Sequence, residues 1–462
     1  MAFRWDSTPW VEAALPCAWA AVSSAGYRVG EDSTAHVGID FGTSNSALAL
    51  TQGASAVEFL DFSLLGASTR SYRSLLFFDP DEQEVRLPIQ FHAGVEAIEA
   101  YLEAMGEGRL VQSFKTHLTT TSLGRTSIGH HAVSLDQMLT LFFFRLRRHL
   151  EQQRGVSPGR VMLGRPVRFA GSEGPEADAL AEQRLKEAAE QAGFAEVRFE
   201  LEPIAAAYHY ERALTRPELA LVADFGGGTT DFCLMRLGPR PDSASHRKDD
   251  IVATGGVGVA GDDLDAAIIE HLVCPHLGRG TSYVEMGREL AIPRSYYYKL
   301  ARWHHLSFLK GRRTRAELER LHRLATKPNA IAGLIHVIDN NQGFHLHKAV
   351  ERLKISLLSE LRSQFSYEDG PVQIDVAVQR ESFEGWIADH VAAIAAALDN
   401  TLAEAGVGPA DVDRVFMTGG TAFVPVVRRE FERRFGVDKL MGGDELMSIA
   451  SGLALHASRT WG

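Results

Sequence analysis

The residue types best suited to holding a phosphate beside a metal ion fall in two short stretches. Val37–Leu50 reads VGIDFGTSNSALAL: an apolar run, one acid at Asp40, then Gly42, Thr43, Ser44, Asn45 and Ser46, then a second apolar run. Leu221–Leu234 reads LVADFGGGTTDFCL, with Asp224 followed by Gly226, Gly227, Gly228, Thr229 and Thr230, and a further acid at Asp231. Consecutive backbone N–H groups in such a turn form an anion-binding concavity, and the hydroxyls add donors. Glycine lets a ligand approach the backbone closely. An acid beside a phosphate makes electrostatic sense when a cation lies between them, and Mg²⁺ takes a few carboxylates and keeps several waters. Several acids meeting at one cleft would repel one another strongly without such a cation.

Each stretch is built as apolar run, small-residue turn, apolar run, which is the pattern of a β-hairpin. Asp40 and Asp224 lie 184 positions apart, far beyond the period of a solenoid repeat. Two similar hairpins at that separation imply two similar lobes, each lending a phosphate loop to one cleft. Two ordinary hairpins would explain the strands, but packing needs alone do not place matching acids before Gly/Thr turns.

These turns resemble the two phosphate loops of the actin, sugar-kinase and heat-shock-chaperone ATPase superfamily, and are closest to the DnaK-type heat shock protein 70 family. Three further stretches agree in the family's order. Leu201–Tyr208 (LEPIAAAY) resembles the first connecting helix, Glu351–Ser356 (ERLKIS) the adenine-side helix of the second lobe, and Val415–Pro425 (VFMTGGTAFVP) the adenosine loop. The resemblance runs from about Val37 to the C-terminus. In length the chain is similar to the short YegD-type chaperone relatives, so no β-rich peptide-binding domain is expected and client action is expected to need a separate protein.

The resemblance implies an α/β fold: a two-lobed actin-like ATPase of duplicated ribonuclease H-like domains around a nucleotide cleft. Its implied cofactors are ATP or ADP and Mg²⁺. Asp40, Glu202 and Asp224 match the acids that hold the hydrated ion, largely through water, and Asp231 matches an acid close to the attacking water. Gly42, Thr43, Ser44 and Asn45, with Gly226, Gly227, Gly228, Thr229 and Thr230, match the groups around the β- and γ-phosphates. Lys115, in SFKTHL, is similar to the lysine that orients the attacking water. Glu351 and Lys354 match the ribose-contacting pair; Gly419, Gly420, Thr421 and Asp444 match the adenosine loop and the acid after it. Two positions depart from the family. Arginines usually sandwich the adenine, whereas Phe423 and Ile355 stand there here, so aromatic and apolar packing replaces cation stacking.

Gly255–Asp265 (GGVGVAGDDLD) holds a literal GxGxxG at Gly256, Gly258 and Gly261, between an expected strand at Ile251–Thr254 and an expected helix at Leu264–Val273. That is the setting of a dinucleotide fingerprint. The resemblance instead implies the glycine-rich turn before the second lobe's first helix, with Gly261 facing the phosphates.

A chain of 462 residues is long enough for two or three domains. Its hydrophobic content of 45% and charged content of 23% are those of a globular protein with a sizeable core. A net charge of −11 argues against a chain-wide surface for nucleic acid or anionic membrane. The three cysteines, Cys17, Cys233 and Cys274, are widely spaced and form no CxxC, so a reducing cytoplasm is expected. No apolar run approaches the length of a membrane span.

Residues 1–36 read as an N-terminal extension. Ala13–Val22 is apolar but follows Asp6 and Glu12, which makes a poor signal peptide. Residues 37–220 read as the first lobe, with helices at Val95–Met105, Leu135–Gln152 and Glu176–Ala192 and strands at Leu75–Phe78 and Val161–Val167. Residues 221–412 read as the second lobe, with a helical and irregular insertion, aromatic and basic in composition, at 275–346. Within it, Lys310–Arg323 is expected to be a helix with a solvated charged face. His304, His305, His345 and His347 offer no third ligand, so no metal site is expected from them. His347–Arg362 and Phe383–Ala405 read as long helices, and residues 413–462 as the adenosine loop and a C-terminal helix (Ser448–Ser458) returning to the first lobe.

The expected function is Mg-dependent ATP binding and slow hydrolysis coupled to lobe opening and closing, in a chaperone-like or switching role. The expected partner is a protein client or co-chaperone, with no nucleic acid and no membrane. The same fold carries small-molecule kinases, actin-like filament proteins and non-hydrolysing nucleotide-binding scaffolds. A kinase needs a catalytic base and an acceptor pocket, and the sequence offers no clear candidate for either.

Overall fold

The computed structural model describes residues 35–52, 57–64, 66–79, 90–104, 108–120, 125–128, 131–172, 174–211, 214–239, 248–302, 309, 311–340, 342–441 and 448–461. They form two compact units. Of the described residues, the first takes those from 35 to 41, those within Asn45–Glu200 and those from 453 to 461; the second takes Gly42–Ser44 and those within Leu201–Gly452.

The same sheet is built twice. In the first unit the strand order is Glu196–Leu201, Arg160–Arg165, Ala35–Phe41, Asn45–Gln52, Glu58–Phe59. In the second it is Leu440–Met441, Arg414–Thr418, Glu218–Phe225, Thr230–Leu237, Ile251–Val257. In each, the leading strand of a hairpin runs antiparallel to its successor and parallel to a much later strand, with Ile39 facing Leu163 and Ala223 facing Met417. A helix follows that later strand in both cases, Pro175–Gln191 and Pro425–Phe435, and leads to the next strand of the sheet. This is a two-lobed, duplicated α/β fold.

The central strands are near-continuous apolar runs because both their faces are covered. Val37, Ile39 and Phe41 are buried in one unit, and Leu221, Ala223 and Phe225 in the other. Phe41 is fixed by three aromatic neighbours, with ring centroids 5.7 Å from Phe114, 5.4 Å from Phe142 and 5.3 Å from Phe143. Phe142 and Phe143 lie on the helix Leu135–Arg154, which starts in a reciprocal capping box between Ser134 and Gln137 and stops at Gly155; both devices satisfy backbone groups that a helix end leaves open. In the second unit Phe225 packs on Phe431 of the helix Pro425–Phe435, at 5.9 Å.

Several elements differ from the sequence expectation. The stretch 275–346 is regular over most of its described length: a hairpin (Ser282–Glu285 and Arg288–Ala291) and helices at Arg294–Ala301, Arg312–Leu324 and Pro328–Asp339. Its periodicity is hard to read because Arg312–Leu324 buries only Leu318 and Leu321. The helix expected at His347–Arg362 spans Gly343–Ser359, and Arg362 instead opens the strand Arg362–Asp369, whose buried Phe365 and Tyr367 alternate with polar residues. The helix expected at Phe383–Ala405 is two, Arg380–Trp386 and Ala388–Glu404. The segment 201–220 clusters with the second unit, because the helix Glu202–Glu211 packs on Glu218–Phe225 and Arg414–Thr418. The closing helix spans Ser448–Trp461, and its His456 Nδ1 lies 2.9 Å from a Glu200 carboxylate oxygen in the first unit. Among the described residues, no helix is long and apolar enough to cross a membrane.

Candidate functional site

In the first unit, Asp40 sits one residue before the end of its strand and faces Ala47 across the hairpin. Lys115 lies in a single 3-10 turn, Phe114–His117, that the chain enters through Ser113 in the left-handed region (φ +55°). Phe114 is buried on Phe41, and the Lys115 ammonium stands 5.9 Å from the centroid of the Phe41 ring. The lysine is thus held beside the residue that follows Asp40, and a non-glycine residue at positive φ marks a backbone that its surroundings over-determine. The Asn45 side-chain oxygen accepts from Ser71 Oγ (2.9 Å) and Arg73 Nη1 (3.1 Å).

The second unit gathers most of the remaining candidates. Glu202 is buried at the head of the helix Glu202–Glu211, directly before Pro203. Asp224 and Asp231 face each other across the second hairpin, just below its turn. Asp224 is also opposite Thr418 on the parallel strand, and the buried Thr418 hydroxyl donates to Asp224 Oδ1 at 2.5 Å. Asp231 accepts from Thr229 Oγ1 at 2.9 Å. Its other neighbour is Gly256, where a Cβ would lie 2.9 Å from Asp231 Oδ1. Glycine at this point of the strand therefore makes room for the carboxylate.

The turn itself is tied to the helix behind it. Gly226 N–H donates to Thr229 O (2.9 Å), Asp262 N–H to Gly227 O (2.9 Å) and Gly261 N–H to Gly226 O (3.4 Å). Thr230 Oγ1 donates to Val259 O at 2.7 Å. Nothing lies within 4 Å of a Cβ built on Gly228, so that face of the turn is open. Gly42, Thr43 and Ser44, the tip of the first hairpin, cluster with this unit, and Ser44 Oγ donates to Asp262 Oδ2 at 3.4 Å. A Cβ at Gly227 would collide with Ser44 Oγ.

Gly419 leaves the strand at φ +85°, and a Cβ there would strike the Phe225 carbonyl oxygen; both facts require glycine. Gly420–Phe423 forms a 3-10 turn in which Thr421 is buried. Thr421 Oγ1 is 3.5 Å from where a Gly261 Cβ would be, so the two glycine-bearing turns approach each other closely. On the helix Gly343–Ser359, Glu351 pairs with Lys348 at 2.6 Å and Lys354 with Asp265 at 2.7 Å. Ile355 is 56% exposed and Phe423 42% exposed, two large apolar side chains that the fold leaves uncovered. Asp444 lies outside the described residues, as do His304 and His305.

Two other readings of the sequence find no support in these positions. The GxGxxG stretch begins at Gly256 inside the strand Ile251–Val257, which pairs antiparallel with Thr230–Leu237 at the edge of its sheet; a dinucleotide fingerprint follows a parallel strand of a βαβ unit. His347 Nε2 lies 3.3 Å from Leu300 O and His345 packs edge-on to Phe344. Among the described residues no three His, Cys, Asp or Glu side chains form a direct metal cage. Carboxylates, hydroxyls and turn amides, with glycine where a Cβ would meet the turn's own atoms, suit a hydrated Mg²⁺ and phosphates rather than a metal enclosed by protein.

Three residues at this site escape the sequence reading. Thr418 is a lone hydroxyl in an apolar strand, and only the parallel register shows what it holds. Asp262 and Asp265 sit in the quoted GDDLD, three apart on one helical face, but their partners Ser44 and Lys354 are remote in the chain.

The Hsp70 protein family matches residues 334–460, and the MreB/Mbl protein family matches residues 134–277. The fold is that of an Hsp70-type, actin-like ATPase domain. The chain is similar to chaperone protein DnaK of Thermosipho africanus (strain TCF52B), at 24% identity over 430 residues, 91% of this chain and 58% of the relative. Chaperone protein DnaK of Thermosipho melanesiensis (strain DSM 12029 / CIP 104789 / BI429) is 24% identical over 434 residues, 91% of this chain and 59% of the relative. The chain thus spans a little under three fifths of the length of these curated relatives. The Hsp70-type match takes in the helix Gly343–Ser359 and the Gly419–Phe423 turn, and the actin-like match takes in the second hairpin and the helix after it.

Proposed function

We propose that this chain binds Mg-ATP and hydrolyses it slowly, and that turnover is coupled to opening and closing of the lobes in a chaperone-like or switching role. The observation that carries the reading is the pair Asp224 and Asp231, facing each other beneath a four-residue Gly/Thr turn. Phosphoryl transfer depends almost wholly on positioning and charge stabilisation, and the proposed roles follow from that.

Asp40, Glu202 and Asp224 hold the hydration shell of Mg²⁺, which when bound neutralises charge on the β- and γ-phosphates. The amides and hydroxyls of Gly42–Asn45 and Gly226–Thr230 donate to phosphate oxygens. Asp231 accepts a hydrogen bond from the attacking water, and Lys115 donates to the same water or to the γ-phosphate. Glu351 and Lys354 hold the ribose, Gly419–Thr421 line the nucleoside, and Phe423 and Ile355 pack on the base. The partner is a protein client or co-chaperone, and the proposed compartment is the cytoplasm.

The test is phosphate release by the purified chain with and without Mg²⁺. Asp224→Asn removes a charged anchor and is expected to cut turnover by about a hundredfold or more, the range for losing one group that stabilises transition-state charge. Wild-type turnover no higher than that of an Asp40→Asn/Asp224→Asn double variant would refute the hydrolytic reading.

A further inference from the structure

The helix Glu202–Glu211 carries one acid of the proposed site at its head and is tied down by a separate group at its tail. The Tyr210 hydroxyl donates to Glu218 Oε2 at 2.5 Å and accepts from Arg414 Nε at 2.8 Å. Glu218 and Arg414 open two neighbouring parallel strands, Glu218–Phe225 and Arg414–Thr418. One oxygen thus joins three elements. Glu218 is buried, and Arg216 pairs with it at 3.5 Å. Asp413 accepts from Leu219 N–H at 2.8 Å and braces the same end of the sheet.

Packing does not account for this arrangement. The Tyr210 ring lies edge-on to Phe416, with centroids 5.1 Å apart, and a phenylalanine would make that contact equally well. Nor does the strand need Glu218, since an apolar side chain there avoids the cost of burying a carboxylate.

The register shows what the tail of the helix controls. Strand alternation puts Glu218, Ala220, Val222 and Asp224 on one face, and Arg414, Phe416 and Thr418 on the same face of the neighbouring strand. Ala220 stands opposite Arg414, Val222 opposite Phe416 and Asp224 opposite Thr418. The helix packs on both strands and covers this face, where Tyr210 meets Phe416. It ends at Glu211, shortly before the strand begins at Glu218, so it runs antiparallel to that strand with its head toward Asp224. The lengths agree. From Tyr210 back to Glu202 the helix rises about 12 Å, and from Arg414 to Thr418 the strand advances about 13 Å. Tyr210, anchored where the strands start, thereby sets Glu202 level with the bond between Thr418 and Asp224. A Cβ on Gly452 would strike the Ala205 carbonyl oxygen, so a second backbone lies directly against the helix and limits movement across its axis. Movement along the axis is resisted at the tail by Tyr210.

We propose that Tyr210 is a positioning residue for the Mg²⁺ end of the site: its hydroxyl, held between Glu218 and Arg414, fixes where along its axis the helix presents Glu202. The inference rests on the proposed Mg-ATP function and adds to it a side chain whose hydroxyl is engaged at the far end of the helix from the ion. Backbone hydrogen bonds make the helix a rod, so slack at Tyr210 is felt at Glu202. A carboxylate that holds an ion's waters tolerates little misplacement.

The experiment titrates ADP into the full chain by calorimetry, with Mg²⁺ and with a chelator. Tyr210→Phe keeps the ring and is expected to weaken Mg-linked affinity by about tenfold, less than the roughly hundredfold cost of an about 1 Å misplacement at a reacting centre. Affinity in chelator is expected to stay at the wild-type value. Arg414→Met leaves the bond to Glu218 in place but frees the second strand, and is expected to shift affinity in the same direction. In a Glu202→Gln background, Tyr210→Phe should cost nothing further, because its effect passes through Glu202. The proposal is overturned by equal Mg-linked affinity in Tyr210→Phe and wild type, by an equal fall with and without Mg²⁺, or by a loss that adds in full to that of Glu202→Gln. A wild-type chain that binds ADP no better with Mg²⁺ than with chelator would instead overturn the Mg-ATP reading itself, and this inference with it.

Discussion

Thr418→Val isolates one hydrogen bond in the proposed nucleotide site. Valine keeps nearly the shape of threonine, so the buried strand position stays filled while the hydroxyl donor is lost. That donor meets Asp224 Oδ1 at 2.5 Å from a directly paired strand. A hydrogen bond to a charged group contributes about 1.5–3 kcal/mol. Asp224 is only partly buried, so water recovers some of the loss, and the lower end of that range applies. If the hydroxyl fixes the carboxylate in the orientation that holds the ion's waters, a loss of about 1.4 kcal/mol corresponds to tenfold weaker Mg-linked nucleotide binding.

The assay is calorimetric titration of ADP, with Mg²⁺ and with a chelator, on wild type, Thr418→Val and Thr418→Ser. Affinity in Mg²⁺ is expected to fall about tenfold in the valine variant and to recover in the serine variant, which keeps the donor. Affinity in chelator should be the same in all three, since the phosphate turns are untouched. A merely structural threonine would lower the melting temperature without separating the two titrations. Equal Mg-linked affinity in wild type and Thr418→Val, or a serine variant as weak as the valine one, would refute the argument.

Three further outcomes are expected. Lys115→Ala should lower turnover at least about tenfold, less than the roughly hundredfold or more typical of a general acid or base because the lysine orients the water and does not take its proton, with ADP affinity unchanged by calorimetry; equal turnover would make Lys115 only a neighbour of Phe41. Phe423→Arg should tighten ATP and ADP by similar factors and sharpen discrimination against GTP in competition titrations, because a guanidinium over the base gains roughly 1–2 kcal/mol where an exposed ring gains less. Cys233 and Cys274 are buried, and burial pushes both thiols up to about 12, so at pH 8 neither forms the reactive thiolate; both should resist a thiol reagent in the folded protein and react on denaturation.

What could be read from the sequence was local. Each hairpin declares itself within fourteen residues, because strand, acid and turn are consecutive, as in Val37–Leu50. The sheet order was not local: Ile39 pairs with Leu163 and Ala223 with Met417, and no property of either strand names its distant partner. The same separation hid Thr418, Asp262 and Asp265, whose roles depend on Asp224, Ser44 and Lys354. The stretch 275–346 was obscured differently. Its helix Arg312–Leu324 holds the unit with two leucines, too narrow a stripe for periodicity to stand out among arginines, and its hairpin strands are four residues long and mostly exposed.

The duplication also separates what the scaffold requires from what the chemistry requires. Both hairpins pair Phe with a hydroxyl residue at the turn, Phe41 with Ser46 and Phe225 with Thr230, and so close the same four-residue loop. One step below, the registers diverge: Asp40 faces Ala47, whereas Asp224 faces Asp231. The outer pairing at the turn is shared, Val257 opposite Thr230 and Tyr72 opposite Ser46, but only in the second unit does it continue one step down, where Gly256 leaves space for Asp231; in the first unit Glu58–Phe59 pairs further down, at Ala49 and Leu50. A second carboxylate at this level adds repulsion that the hydrogen bond from Thr229 offsets only in part, and the first unit folds without it. Its presence in the second unit, with Gly256 leaving space for it, therefore argues for a role outside folding, in keeping with the proposed contact to the attacking water beside a phosphate held at the open face of the turn at Gly228.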